Sequence, residues 1–533
     1  MITKIKIKGY RIHRDFELKP NPKMNIIVGG NEAGKSTLME AIVLALTGRI
    51  HGKSAQEELN PYWFNATLVS DFLQNRKDGK QVALPEIHIE LFLENSDELQ
   101  SLCGAINSDV PTIACPGVGL HIVPNPEYAP ELDKWIIEPT ALLPIEYYQV
   151  DWRSFADVKL TARPRQLVTA IIDSRTVRSP FGMDYHLRQI INDHLAPSER
   201  ADISLAYRNV KAEMSNTALV DVNKRIGDLH ASLHSQPITL AMDQSSRTSW
   251  EGVVTPHVDA VPFSMSGQGQ QAAIKISLAM ARQNGTANFV MIEEPENHLS
   301  HTSLTTLLSR INSLASDQQQ LFITTHSAFV LNRLGLDALL LIEHDSVAKI
   351  SQLTPETVSY FQKLSGYDTL RMALSSKIVL VEGPSDEIIF ERVFKDAHGK
   401  SPMEFGIDVL SMRGLPLNRC LELCSALNKK VAVLRDNDGI DPSELREPVG
   451  KYLAAGRRAL FIGSIERGTT LEPQIVNHND EKLIRMILGI KDAVDLTKWM
   501  KREKTEAALR IAMSEQKITP PQYMLEAANF IHD

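Results

Sequence analysis

The chain has 533 residues with 57 basic and 65 acidic side chains, a net charge of −8. At roughly 150 residues per domain this length suggests three or four domains, and 43% apolar with 23% charged content is that of a folded chain, neither fibrous nor disordered. No apolar run approaches the ~20 residues of a spanning helix, four cysteines are too few for a disulfide framework, and the acidic balance leaves nucleic acid to local basic patches; composition therefore reads as soluble, cytoplasmic and multidomain, with no membrane partner.

Met1 to Lys8 alternates apolar and basic residues like a strand and lacks the apolar core of a signal peptide. Ile5 and Ile7, Phe16 and Leu18, and Ile26 to Val28 mark short strands. Leu38 to Leu46 reads as a helix and Ile87 to Leu93 as another strand. Residues 48–81 look loop-rich, and prolines with Asn/Asp/Gly clusters predict an irregular insertion over 96–146. Between 180 and 237, Leu187, Ile190, Leu219, Val222, Ile226 and Leu229 recur near helical spacing, which predicts a helical arm. Strand and helix patterns resume over 238–351. A linker over 352–374 precedes a second α/β segment, 375–480, and a helical tail, 481–533.

The strand Met24 to Val28 runs into Gly29, Gly30, Asn31, Glu32, Ala33, Gly34, Lys35, Ser36 and Thr37, and a helix follows. This is the GxxxxGK[ST] phosphate loop in its strand–loop–helix context. Its glycines let backbone N–H groups curl around phosphate at a helix N-terminus. Lys35 would reach the β/γ-phosphates of ATP, and the Ser36 hydroxyl would ligate Mg²⁺. Downstream, the apolar strand Phe289 to Ile292 ends in Glu293 and Glu294. Glu293 is expected in the Mg²⁺ shell and Glu294 as the group that orients the attacking water. A further strand ends at Thr325, and His326 behind it looks like a switch histidine sensing the γ-phosphate. Ser266, Gly267 and Gln268 open a helix ahead of the Walker B strand, in the position of the signature loop of ABC-type ATPases. In that class the signature loop of one subunit closes over ATP held by the other, so a homodimer with two composite sites is expected. The glutamine that usually follows the central strand has no clear place in the sequence, and Gln149, in Tyr147-Tyr148-Gln149, is a candidate for it.

A second constellation begins at the buried-type strand Lys377 to Val381, which ends in Glu382 and Gly383, with Asp386 in the first turn of an amphipathic helix. About fifty residues on, Lys430 to Arg435 ends in Asp436, Asn437 and Asp438. Residues i and i+2 of a strand share a side, so Asp436 and Asp438 are expected to converge on one cation. Four carboxylates together call for a divalent metal. EGxxD followed by DxD across β-α-β-α-β is the Toprim pattern. Glu472 adds either a further metal ligand or an exposed helix-start acid. Lys498, Lys501, Arg502, Lys504 and Arg510 form a basic run that reads as one helix, either a solvated face or a grip on a phosphodiester.

Taken in order, Gly29 to Ser36, Ser266 to Gln271, Glu293-Glu294-Pro295-Glu296, Thr325-His326, Glu382 to Asp386 and Asp436 to Asp438 resemble the OLD (overcoming lysogenization defect) family of ATP-dependent nucleases. The resemblance covers nearly the whole chain. It implies an α/β architecture: an ABC-type P-loop ATPase domain with an inserted helical dimerisation arm, then a Rossmann-like Toprim domain and a helical C-terminal tail that completes the nuclease site. It implies a metal-dependent DNA endonuclease using Mg²⁺ or Mn²⁺, with Glu472 as a ligand and Lys504 as the tail's catalytic lysine. Members include the Gabija nuclease subunit and retron-associated effectors, both bacterial antiviral systems. A helicase-like partner, a retron reverse transcriptase carrying its own DNA, or self-assembly alone would each fit. The family's His-Leu-His-Pro stands here as His298-Leu299-Ser300-His301, and Glu293 stands where aspartate is commoner, so ATP binding is implied and hydrolysis left open. A topoisomerase-like enzyme and an ATP-gated scaffold with idle acids are the alternative classes.

Overall fold

The computed structural model describes the chain apart from residues 51, 138–141, 174–194, 230–238, 246–249, 251–252, 255, 281–287, 298, 315–318, 344, 350–352 and 364–368. The described residues divide into two compact units. One comprises Met1–Ile27, Asn31–Thr325 and His344–Ser346; the other comprises Val28–Gly30, His326–Glu343 and Val347–Asp533.

The first unit contains two sheets. In the antiparallel one, β1 (Ile2–Tyr10) lies between β2 (His13–Leu18) and β4 (Ile87–Leu93), β4 continues to β5 (Cys115–Pro124), and β5 pairs with β6 (Tyr148–Ser154). Ile5, Ile7, Phe16 and Leu18 turn into the core and alternate with exposed or half-buried polar residues, as a sheet with one solvated face requires. The second sheet is parallel: β3 (Met24–Val28), β9 (Gln319–Thr324), β8 (Asn288–Glu293) and β7 (Val168–Asp173) stand side by side. Their apolar runs are buried on both faces, which is what parallel strands flanked by helices need. The helix α1 (Lys35–Thr47) follows β3 through the Gly-rich turn and ends at Gly48, whose left-handed backbone caps it by donating to the Leu44 carbonyl.

Three expectations change here. Residues 96–146 are not an irregular insertion, because β5 is an interior strand of the antiparallel sheet. Residues 48–81 hold a helix, Ala66–Lys77, whose first turn is capped by Asn65 accepting from the Leu68 N–H. Gln149 lies in β6 opposite Val123, in the antiparallel sheet, and not beside the parallel strands. Of the expected helical arm, 180–194 and 230–237 fall outside the described residues; between them stand α2 (Pro197–Asn216) and α3 (Val220–Leu229). Leu205, Val210, Met214 and Val220 are exposed along them.

In the second unit four parallel strands lie in the order β11 (Ile407–Ser411), β10 (Lys377–Val381), β12 (Lys430–Arg435), β13 (Arg458–Ile462). The crossover helices are α5 (Pro384–His398) after β10 and α6 (Leu417–Ala426) after β11; α4 (Gln268–Met280) belongs to the first unit. α7 (Leu471–His478) follows β13, and the tail contributes α8 (Lys504–Met513) and α9 (Gln522–His532). It shares one core with the sheet: Met500, Ala507, Ile511, Met524, Ala527 and Ile531 bury with Val379, Val381, Ile389 and Phe390. Arg392 of α5 fastens it, donating to the carbonyls of Ile511, Ser514 and Gln516. The segment expected as a linker contains the helix Pro355–Lys363, and Glu422 of α6 accepts from Thr354 and Thr357 at its start.

Candidate functional site

At the head of α1, Gly34 has φ +96, and a Cβ there would stand 2.7 Å from the His13 ring. Glycine at this position is therefore fixed by packing as well as by phosphate recognition. His13, fully buried with its Nε2 3.4 Å from the Gly34 carbonyl, supports the loop from beneath and had no signature in the sequence. Lys35 is buried, and burial lowers its pKa against the opposing pull of the Glu294 charge. The Ser36 hydroxyl donates to Glu293 Oε2 at 3.4 Å. The phosphate loop and the Walker B strand end are thus joined: Ser36 with Glu293, Lys35 within the field of Glu294.

Glu294 has a left-handed backbone, φ 46. Its N–H donates to the Thr324 carbonyl at the end of β9, and its Oε2 accepts from Asn297 Nδ2 at 2.7 Å. A non-glycine residue in that region carries strain that surrounding contacts must offset. Glu296 accepts from the Thr325 hydroxyl at 2.8 Å. Gly29, Gly30 and Asn31 occupy the turn between β3 and α1, with Thr37 in the first turn of α1. His326 follows Thr325 and is exposed. Ser266 precedes α4, donates to the Phe263 carbonyl and has its own carbonyl capped by Gln271. Gly267 faces open space, and Gln268 begins α4. These bonds of Ser266 are local to its own turn. His298 lies outside the described residues.

In the second unit the acids gather at the carboxyl ends of β10 and β12. Glu382 follows β10, and Asp386 sits in the first turn of α5, where its Oδ2 accepts from the Gly383 N–H at 3.1 Å. Asp436 and Asp438 do not lie on an extended strand as the i, i+2 argument required. β12 ends at Arg435, and Asp438 has φ 49 in the turn beyond it. What shapes that turn is Asn437. It is fully buried, donates to the Gly463 and Gly468 carbonyls at 2.9 and 2.8 Å, and accepts from the Gly439 N–H. Glu472 is 4% exposed, which excludes the exposed-acid reading. It accepts from Thr470 and pairs with Lys504 Nζ at 3.6 Å. The basic run is not one helix: it breaks at Glu503, and Lys498, Arg502 and Arg510 are paired with Asp495, Glu503 and Glu506. Lys504 alone of the run faces the acids.

Burial, reinforced by Asp386, Glu382, Glu472 and Asp438, pushes the Asp436 carboxyl up to about 8. Burial likewise carries Asp386 up to about 6, and raises Glu382 with the help of Asp386 and Asp438 against Arg435. The Tyr523 phenol is raised well above its ordinary value by burial and by Asp436, Asp386, Glu382 and Glu472, so it is a poor nucleophile. Among the described residues no three His, Cys, Asp or Glu side chains converge as ligands of one ion. The donor chemistry still suits a hard divalent cation, since every member is a carboxylate and their mutual repulsion is what such a charge relieves.

Comparison with known proteins agrees with both halves. An AAA domain family matches residues 4–141, and an AAA ATPase domain family matches 185–331. A family described as overcoming lysogenization defect protein-like, TOPRIM domain, matches 374–438. The DNA replication and repair protein RecF of Bacillus cytotoxicus is 40% identical over 83 residues, 16% of this chain and 22% of that protein. RecF of Bacillus mycoides is 41% identical over 58 residues, 11% and 16%. The chain thus spans about a fifth of the length of the curated relatives it matches. Among solved structures, an SMC head bound to the winged-helix domain of ScpA aligns with 67% of this chain and 98% of its own, at 13% identity and a TM-score of 0.32. The C-terminal region of the Burkholderia pseudomallei OLD protein aligns with 30% and 97%, at 19% identity and a TM-score of 0.24. The chain therefore carries AAA-type, nucleotide-binding ATPase domains followed by an OLD-like TOPRIM domain.

Proposed function

We propose that this protein is a metal-dependent DNA endonuclease whose Toprim site is governed by an ATP-bound homodimer, serving antiviral defence. The observation that carries the reading is the mutual coupling of Glu382, Asp386, Asp436, Asp438 and Glu472 at one end of a parallel sheet, with Lys504 against Glu472. Five acids set against Lys504 and Arg435 leave an excess of negative charge that is costly to a fold and is retained where it binds a cation. These carboxylates would hold Mg²⁺ or Mn²⁺, which supplies an activated water and offsets charge on the leaving oxygen. Lys504, half exposed, brings positive charge to the phosphate in flight. Homodimerisation draws support from the self-contained turn at Ser266 and from the exposed Leu205, Val210 and Met214 on the arm. The antiviral setting rests on the motif resemblance alone.

Nicking of supercoiled plasmid by purified protein with Mg²⁺ or Mn²⁺, with and without ATP, tests the reading. Glu382→Ala should abolish nicking without changing the oligomeric state. Cleavage retained by that variant overturns the assignment, and a covalent protein–DNA adduct would move it to strand transfer.

A further inference from the structure

The acids occupy only one side of the crevice at the carboxyl ends of the second sheet. In an open parallel sheet, ligands bind where successive connections leave in opposite directions. Here that point is β10, because the chain leaves it for β11 on one side and returns to β12 on the other. A cavity of about 500 Å³ opens at this point, directly beside Glu382. Its size is that of a small-ligand site. Met412, Leu415 and Val449, each less than a tenth exposed, make its apolar wall. Asn418, exposed on the first turn of α6, presents a carboxamide with no hydrogen-bond partner among the described residues. Arg435 stands at the boundary with the acids, 3.9 Å from Glu382, too far for a close ion pair. Gly414, at φ +86, lines the cavity where an added Cβ would meet nothing, so backbone as well as side chains is open to an occupant.

We propose that this cavity is a nucleobase subsite: it receives one unstacked base of the substrate strand while Arg435 holds the adjoining phosphate beside Glu382. The inference rests on the nuclease reading for its direction and adds where the strand lies. A flat aromatic base fits between apolar walls, and a guanidinium recognises the phosphate that necessarily accompanies it. A carboxamide offers a donor and an acceptor together, the pairing suited to a base edge. A base must leave its stack to enter, so single-stranded or frayed DNA is the substrate favoured over intact duplex.

The test uses the full chain carrying Lys35→Ala, which disables the phosphate loop, in EDTA. Calorimetric titration with the four deoxynucleoside monophosphates is compared with titration by deoxyribose 5-phosphate. At least one nucleotide should bind about tenfold or more tightly than the baseless sugar phosphate, a difference of about 1.4 kcal/mol. Val449→Trp, which fills the cavity, should erase that difference. Asn418→Ala, at an exposed helical position, should level the four bases and keeps the test decisive if Val449→Trp does not fold. In parallel, cut sites on single-stranded DNA are mapped with Mg²⁺. Wild type should prefer a base at one fixed position beside the cut, and Asn418→Ala should cut without that preference. Equal binding of nucleotide and sugar phosphate overturns the subsite even where cleavage occurs. Base-dependent binding without cleavage overturns the nuclease reading and leaves the subsite standing.

Discussion

Asn437 decides more about the acidic site than its neutral side chain suggests. Both of its N–H groups and its oxygen are used, tying the turn after β12 to the Gly463 and Gly468 carbonyls and to the Gly439 N–H. Truncation leaves these groups unsatisfied in a dry pocket, each at about 1–3 kcal/mol. Asn437→Ala should therefore lower unfolding free energy by about 2–4 kcal/mol in denaturant titration, because the lost bonds overlap in their effect. Asp436 works in the opposite sense. Its carboxyl is held up to about 8 by burial and by four neighbouring acids, so its charge is a cost to the folded state. Asp436→Asn should raise the stability of the metal-free protein by about 1–2 kcal/mol, and should shrink the rise in Tm that Mg²⁺ gives to wild type; thermal scans with and without the cation read both. At this scale the sequence displayed the acids, since carboxylates behind buried strands stand out. It hid the groups that support the two sites. Asn437 and His13 act through burial, Arg435 through a partner about fifty residues away, and no spacing announces that.

Long periodic elements were legible and interrupted ones were not. The strands of the parallel sheets are continuous apolar runs and were readable at once. β5 was missed because Pro116, Gly117, Gly119 and Pro124 punctuate it like a loop. The glycine at 117 has a tertiary reason: a Cβ there would lie 2.1 Å from the Phe155 ring. The helix Ala66–Lys77 escaped because its apolar stripe is short, Leu68, Val69, Phe72 and Leu73, with Phe72 its single fully buried side chain. The helix after residue 354 was obscured by its polarity, and its anchoring on α6 yields a prediction. Burial would raise the Glu422 carboxyl, but bonds from Thr357 and Thr354 outweigh it and hold the pKa below its ordinary 4.5. A depressed carboxyl adds stability that is fully present above the unfolded value and is lost as pH falls through the folded one. The stability gap between wild type and Glu422→Gln should be constant from neutrality down to about pH 5 and should close below pH 4.5. Urea unfolding followed across that range measures it, and a gap that widens toward acid would refute the assignment.

Across the whole chain, the order of motifs was a better guide to content than composition was to boundaries. The tail read as a separate helical segment is part of the second unit's core, since Met500, Ile511 and Ile531 bury with Val379 and Phe390. Lys504 is thereby fixed against Glu472 by packing as well as by charge. The net charge of −8 is a poor guide to the surface, because Glu382, Asp386, Asp436 and Asp438 are concentrated at one end of one sheet.

The proposed homodimer would divide each ATP site between two copies. Ser266 bonds within its own turn, while Lys35 and Ser36 face Glu294 and Glu293 of the same chain. On the proposed reading, the Ser266 loop of one copy closes over the phosphate loop of the other, and a two-fold dimer would make two such sites from identical halves. Lys35→Ala destroys one half of each site and Ser266→Arg the other, so either variant alone should be inactive in ATP turnover. Mixed in equal amounts and allowed to exchange, they form heterodimers in half of all pairings, each with one intact site of two. About a quarter of wild-type turnover should then return. Should turnover be too slow to follow, retention of labelled ATP after gel filtration serves as the readout with the same ratio. No recovery from the mixture, or full activity of Ser266→Arg alone, would show that each chain closes its own site.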